Sequence, residues 1–91
     1  MDLKEIRAQL DKLDSELVLL LAKRLSLIPK VAEYKKANNL PQYQPEREKQ
    51  IIESKRKIAV ENNINPDLVE NIFKSIIEEA HRIEKPIIEK I

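Results

Sequence analysis

Arg24 and Lys35 occupy an apolar helical stripe at positions where leucine is expected. The stripe runs through Leu3, Ile6, Leu10, Leu13, Leu17, Leu20, Arg24, Ile28, Val31 and Lys35, in steps of three and four residues. At about 100° per residue both cations point within roughly 20° of the stripe's centre. A buried cation is costly unless an anion meets it. That anion is either a carboxylate of the protein or one carried by a ligand. Other polar residues break apolar faces in the same way. Arg7 flanks the stripe beside Leu10, Asp14 and Leu21. Glu48 projects from the side that carries Ile51, Ile52 and Lys55, with Arg47 at its edge. Glu84 continues the series Phe73, Ile77, Ala80 in steps of four, three and four. Arg7, Arg24, Lys35, Arg47, Glu48 and Glu84 therefore form a candidate pocket. Two guanidinium groups in it would bind two carboxylates bidentately, so its natural ligand is a compact dianion.

The elements that must position these groups are helices, and the fold class expected is all-α, with one long helix, two shorter ones and no strand. The long helix spans about Leu3 to Asn38, opened by a capping box of Asp2 and Glu5 and closed by Asn38-Asn39 before Leu40-Pro41. Pro29 removes one hydrogen bond inside it, which predicts a kink near residues 25–29 and not a break, because the stripe resumes in phase at Val31. A short extended linker leads to Pro45, which opens a second helix reaching about Asn62. Asn65 caps a third, with Pro66 in its first turn. This third helix is expected to bury Leu68, Val69, Ile72, Phe73, Ile76, Ile77, Ala80 and Ile83, and to kink or end at Pro86. His81 falls off that face and is expected to be solvated.

Composition bounds the chemistry. The 91 residues amount to one small domain, 1–91. Seventeen basic and sixteen acidic residues give a net charge of +1, which argues against a nucleic-acid surface. The absence of Cys and the single His exclude disulfides, thiolate metal sites and a His cluster. The absence of Gly excludes phosphate-cradling loops and dinucleotide fingerprints, so no cofactor and no metal is expected. No apolar run reaches the roughly 20 residues of a membrane span, and Met1 to Glu5 lack the apolar core of a signal peptide. The expected location is cytoplasmic.

A helix from 3 to 38 would be about 54 Å long, against a radius of gyration near 12 Å for a compact chain of this size. The two shorter helices cannot cover such a stripe, so a two-fold dimer is expected. Arg7 and Arg24 lie about 26 Å apart along a straight helix and cannot grip one small ligand from the same chain. In an antiparallel pair with its two-fold near residue 18, Arg7 of one chain faces position 29 of the other, between Arg24 and Lys35. A site shared between subunits follows naturally.

At this point the sequence resembles the small all-helical chorismate mutases over nearly its whole length. The resemblance rests on Ile6-Arg7 with Leu13-Asp14 and Leu17, on Leu20-Leu21-Ala22-Lys23-Arg24, on Val31-Ala32-Glu33-Tyr34-Lys35, on Pro45-Glu46-Arg47-Glu48, and on Ile72 through Glu78. It implies an intertwined helical homodimer with two identical sites that convert chorismate to prephenate. It places the carboxylate-binding arginines at Arg24 and, from the other subunit, Arg7. It places the ether-oxygen lysine at Lys35, the ring-hydroxyl carboxylate at Glu48 and a further carboxylate-end cation at Arg47. The sequence departs from the commonest family pattern at Gln44, often acidic, at Ala80, often Ser, and at Glu84, often Gln.

The rearrangement is intramolecular, with no nucleophile, no proton transfer and no cofactor. Cationic clamps would hold the substrate in its reactive conformer, and Lys35 would meet the charge developing on the ether oxygen. Glu84 can donate to that oxygen only when protonated, which predicts activity that declines as pH rises. Two other functions fit the same residues. An isochorismate pyruvate lyase of the same fold also surrounds a dicarboxylate with cations. A non-catalytic dimerisation module would use buried charges to set register, and requires internal Arg–Glu partners and no pocket.

Overall fold

Two asparagines with positive φ do the work that glycine usually does at helix ends. After Ala37 and after Glu61 the chain turns through Asn39 (φ 52°) and Asn63 (φ 58°), and each turn closes with the paired backbone bonds of a Schellman motif. In the first, Leu40 N–H donates to Lys35 O (2.8 Å) and Asn39 N–H to Lys36 O (3.3 Å). In the second, Ile64 N–H donates to Ala59 O (2.9 Å) and Asn63 N–H to Val60 O (3.2 Å). Asparagine tolerates the left-handed region better than other residues with a Cβ. The first of these turns sends the chain back past the end of its own helix, bringing Gln42 to Lys35.

The computed structural model describes all 91 residues as helices joined by short turns: α1 Leu3–Ser26, α2 Ile28–Ala37, α3 Pro45–Glu61 and α4 Pro66–Glu89. The capping box is formed, with Asp2 Oδ1 accepting from Glu5 N–H (2.9 Å) and Glu5 Oε2 from Asp2 N–H (3.3 Å). Asn65 accepts from Asp67 N–H (2.9 Å) at the head of α4. The expected long helix is α1 and α2 together, divided at one residue. Pro29 has no N–H to offer Leu25, and the irregularity falls two residues earlier, at Leu27 (φ −85°, ψ −18°). Leu27 still receives Val31 N–H (3.2 Å), so the chain winds through without a loop. Pro86 neither ends α4 nor shortens it, since helix continues to Glu89.

α4 packs against both α2 and α3, whereas α1 has substantial contact only with α2. The result is elongated, 57 × 24 × 14 Å with a radius of gyration of 16.6 Å, well above the roughly 12 Å of a compact chain. Burial follows. The only buried apolar residues are Ile28, Ala32, Ile51, Ala59 and Ala80, and Glu84 is the one buried charge. The leucine stripe of α1 is exposed throughout. On α4, Leu68 and Ile72 are 52% and 47% exposed, contrary to the expectation that this helix buries both. Their side lies beyond the reach of α2 and α3 within one chain.

One charged cluster ties α3 to α4. Arg56 Nη1 donates to Asp67 Oδ1 (2.9 Å) and Glu70 Oε1 (3.1 Å), and Lys74 Nζ pairs with Glu70 Oε2 (2.7 Å). The hydrogen bond from Lys74, against a desolvation cost, holds the Glu70 carboxyl below its ordinary value of 4.5. The folded state therefore binds the proton more weakly than the unfolded one, and the stabilisation is present above that ordinary value and lost as pH falls through the depressed one. Water reaches the cluster, so the effect is small and weakens with salt. The melting temperature of Glu70→Gln should lie below wild type at neutral pH and converge with it in acid. Parallel curves down to pH 3 would show that Glu70 is not responsible.

Candidate active site

α2, α3 and α4 converge on a cavity of about 180 Å³ whose wall includes Arg24, Lys35, Gln44, Arg47, Glu48, Ala80 and Glu84. Seven of the eight site residues expected from sequence are thus brought together. The eighth, Arg7, lies far along α1 and is exposed.

Lys35 is fixed from two directions. The turn after α2 returns the chain so that Gln42 O accepts from Lys35 Nζ (2.5 Å), and Glu84 Oε1 accepts from the same ammonium (2.8 Å). Side-chain exposures of 13% for Lys35 and 5% for Glu84 make this a desolvated pair. An ammonium has three N–H groups, so one remains to meet another acceptor. Arg24 differs. It takes part in none of the protein's ion pairs, and its Nη1 is buried without a hydrogen-bond partner. Leaving a charged donor unsatisfied typically costs more than the roughly 1–3 kcal/mol of a neutral one. Arg47 is exposed and donates to Gln50 Oε1 (2.9 Å) while still bordering the cavity.

His81 was expected in solvent and is not there. Its side chain is only 15% exposed, with Nε2 3.3 Å from Glu48 Oε1 and Nδ1 3.6 Å from Glu84 Oε2. Gln42 Nε2 lies 3.0 Å from Nδ1, and the Tyr43 ring stacks on the imidazole with centroids 4.0 Å apart. A signal was available: His81 sits four residues after Ile77 and three before Glu84, so it shares their side of the helix. Tyr43, in the linker before α3, supplies the cover.

A larger open groove of about 960 Å³ lies across Glu48 and His81, on the outer side of α3 and α4. Its charges are of mixed sign, Lys49, Lys74, Arg82 and Lys85 against Glu53 and Glu78, and it includes neither Arg24 nor Lys35. The small cavity is the better candidate because it alone concentrates three cations and two carboxylates around a charge with no internal partner.

The chain is all-helical, and its small cavity sets three cations against two carboxylates with one guanidinium nitrogen unpartnered. The family described as chorismate mutase type II matches residues 6–85, and the chain belongs to that family. It is 36% identical over 88 residues to a chorismate mutase of Methanocaldococcus jannaschii, covering 97% of this chain and 89% of that protein. It is 40% identical over 83 residues to the T-protein of Enterobacter agglomerans, and 36% identical over 89 residues to a bifunctional chorismate mutase/prephenate dehydratase of Buchnera aphidicola. These alignments cover 91% and 98% of this chain, but only 22% and 23% of those two longer proteins. The chain thus spans about a fifth of their length.

Proposed function

We propose that this chain is a chorismate mutase, working as an intertwined homodimer in which each site takes Arg7 from the partner subunit. The observation that carries the reading is Arg24 Nη1, buried and unpartnered beside the Lys35–Glu84 pair. Within the chain the buried arginine has no acid to neutralise it and the cavity beside it is open, which favours an anionic ligand over a register-setting dimerisation module.

The dimer is supported by the exposed leucine stripe and by a core too thin to hold a 57 Å rod together. With Arg7 of the partner subunit, each site would set four cations against two carboxylates, an excess that matches a dicarboxylate substrate. Arg24 and the incoming Arg7 would clamp the carboxylates, with Arg47 assisting at one end, and Gln44 and Ala80 would shape the wall. Glu48 would accept from the ring hydroxyl. Holding the flexible substrate compact removes much of the entropic barrier. The remaining N–H of Lys35, aimed by Gln42 O and Glu84, would meet the ether oxygen as negative charge develops on it.

As a carboxylate, Glu84 holds Lys35 in place but offers no N–H to the ether oxygen. Glu84→Gln keeps an oxygen to accept from Lys35 and adds an N–H that can reach the ether oxygen. The variant should therefore turn over chorismate at least as fast as wild type under the same assay conditions. A variant slower by about ten-fold or more would show that the charge of Glu84, and not the Lys35 position it fixes, is what the site uses.

The decisive assay adds chorismate to purified protein and follows the loss of its ultraviolet absorbance, with Arg24→Leu as the blank. Product identification then tests the reaction: prephenate supports the mutase, whereas a pyruvate-releasing reaction on isochorismate alone would favour a lyase of the same fold.

A further inference from the structure

We infer that His81 is a positioning residue that aims Glu48 through its Nε2–H. The inference rests on the reading of this cavity as the chorismate site and adds to it a residue that touches no substrate.

The tautomer is set by Gln42. Its Nε2 donates to the carbonyl oxygen of His81 (3.2 Å), which fixes the amide with its NH2 towards α4; the flipped amide would set oxygen against oxygen. The same Nε2 lies 3.0 Å from His81 Nδ1, so that nitrogen accepts. In a neutral imidazole the proton must then sit on Nε2, which faces Glu48 Oε1 at 3.3 Å. Gln42 therefore orders one turn of chain three ways: its carbonyl aims Lys35, and its amide grips both the backbone and the ring of His81. Tyr43, the next residue, closes one face of the ring.

Glu48 needs such an aid. It stands in the first turn of α3, its side chain is 31% exposed, and the only hydrogen-bond or ion-pair partner of its carboxylate is His81. Glu84 has Lys35 to hold it, while Glu48 has no cation of its own. A carboxylate left to rotate would meet the ring hydroxyl in only a fraction of its rotamers. One N–H bond from a covered ring narrows that choice before substrate arrives, and the other Glu48 oxygen stays free for the hydroxyl. The other charged side chains around the ring are Glu84, whose Oε2 lies 3.6 Å from Nδ1, the Lys35 paired with it, and Lys49, Lys74, Arg82 and Lys85 across the open groove, none of which pairs with Glu48.

His81 is the chain's only histidine, so its ring nitrogens can be read without assignment ambiguity. A long-range 1H–15N spectrum at a pH where the ring is neutral should show the Nε2–H tautomer, and its signals should move in Glu48→Gln. An Nδ1–H tautomer, or the averaged pattern of a free imidazole that ignores Glu48→Gln, overturns the inference. This readout needs no turnover, so it stands or falls separately from the enzymatic reading; a wild-type protein inert towards chorismate would sink that reading instead. Kinetics supply the second arm. His81→Gln places an N–H where Nε2 stood, and His81→Asn places one where Nδ1 stood. His81→Asn should lose about ten-fold or more in kcat/KM while His81→Gln stays within a few-fold of wild type, the loss typical of a removed orienting partner. In a Glu48→Gln background the difference between the two should collapse. Equal losses in the two variants, or a difference that persists in Glu48→Gln, would mean that His81 merely fills space.

Discussion

Arg24→Leu should cut turnover severely and leave the protein more stable. The two effects share one cause. Arg24 lies on the apolar stripe, part-buried, with a guanidinium nitrogen that has no protein partner. Leucine restores the residue that the stripe pattern asks for and removes a desolvated donor, so the melting temperature should rise. Charge pairs that are truncated on one side typically lose about 2–5 kcal/mol, and a carboxylate clamp that also fixes the reactive conformer belongs at the upper end. A fall in kcat/KM of about 10³-fold, equivalent to about 4 kcal/mol, is the expected size. Kinetics with chorismate and a thermal melt of the same preparation check both halves. A structural arginine predicts the reverse combination, a lower melting temperature with activity retained, and that outcome would withdraw Arg24 from the site.

The same conflict with the apolar pattern is what made much of the candidate site legible in the sequence. Arg24 and Lys35 were visible because they violate an apolar stripe, and Glu84 because it extends the face of Phe73, Ile77 and Ala80. A charge on an apolar face is a local conflict, and local conflicts are where functional sites concentrate. Arg47 and Glu48 could be placed because Pro45 marks the start of their helix. What could not be read was the wiring between elements. The Lys35–Glu84 pair and the grip of Gln42 depend on a turn at Asn39 that reverses the chain, and no periodicity encodes which side chains such a turn brings together. His81 was missed for a different reason. Its position beside Ile77 and Glu84 was legible, but a polar residue at the margin of an apolar face is commonly solvated, and its cover, Tyr43, comes from outside any helix. The exposure of Leu68 and Ile72 on α4 marks the same boundary. Periodicity shows that a face is apolar, not that the covering surface belongs to the same chain.

The second large effect concerns that boundary directly. Arg7→Ala and Arg24→Leu should each be inactive alone, yet a mixture of the two, unfolded and refolded together, should recover activity. The recovery follows from where the two arginines lie. About 26 Å of helix separates them, so one chain cannot bring both to one ligand. In a mixed dimer, the subunit that keeps Arg24 meets the partner that keeps Arg7, and one of the two sites is rebuilt intact. The other site lacks both. Random assortment puts half the chains into mixed dimers with half their sites working, so activity should return to about a quarter of wild type. Within one chain Arg7 is exposed, so truncation to alanine removes no buried intrachain contact. A circular dichroism melt and a sedimentation measurement on Arg7→Ala separate a lost clamp from a lost dimer. Recovery near a quarter, appearing only after the chains are allowed to exchange, would establish that the exposed stripe of α1 delivers a working residue to its neighbour as well as an interface. Two inactive variants that stay inactive on mixing would place Arg7 outside the site, and an Arg7→Ala protein with full activity would do so alone.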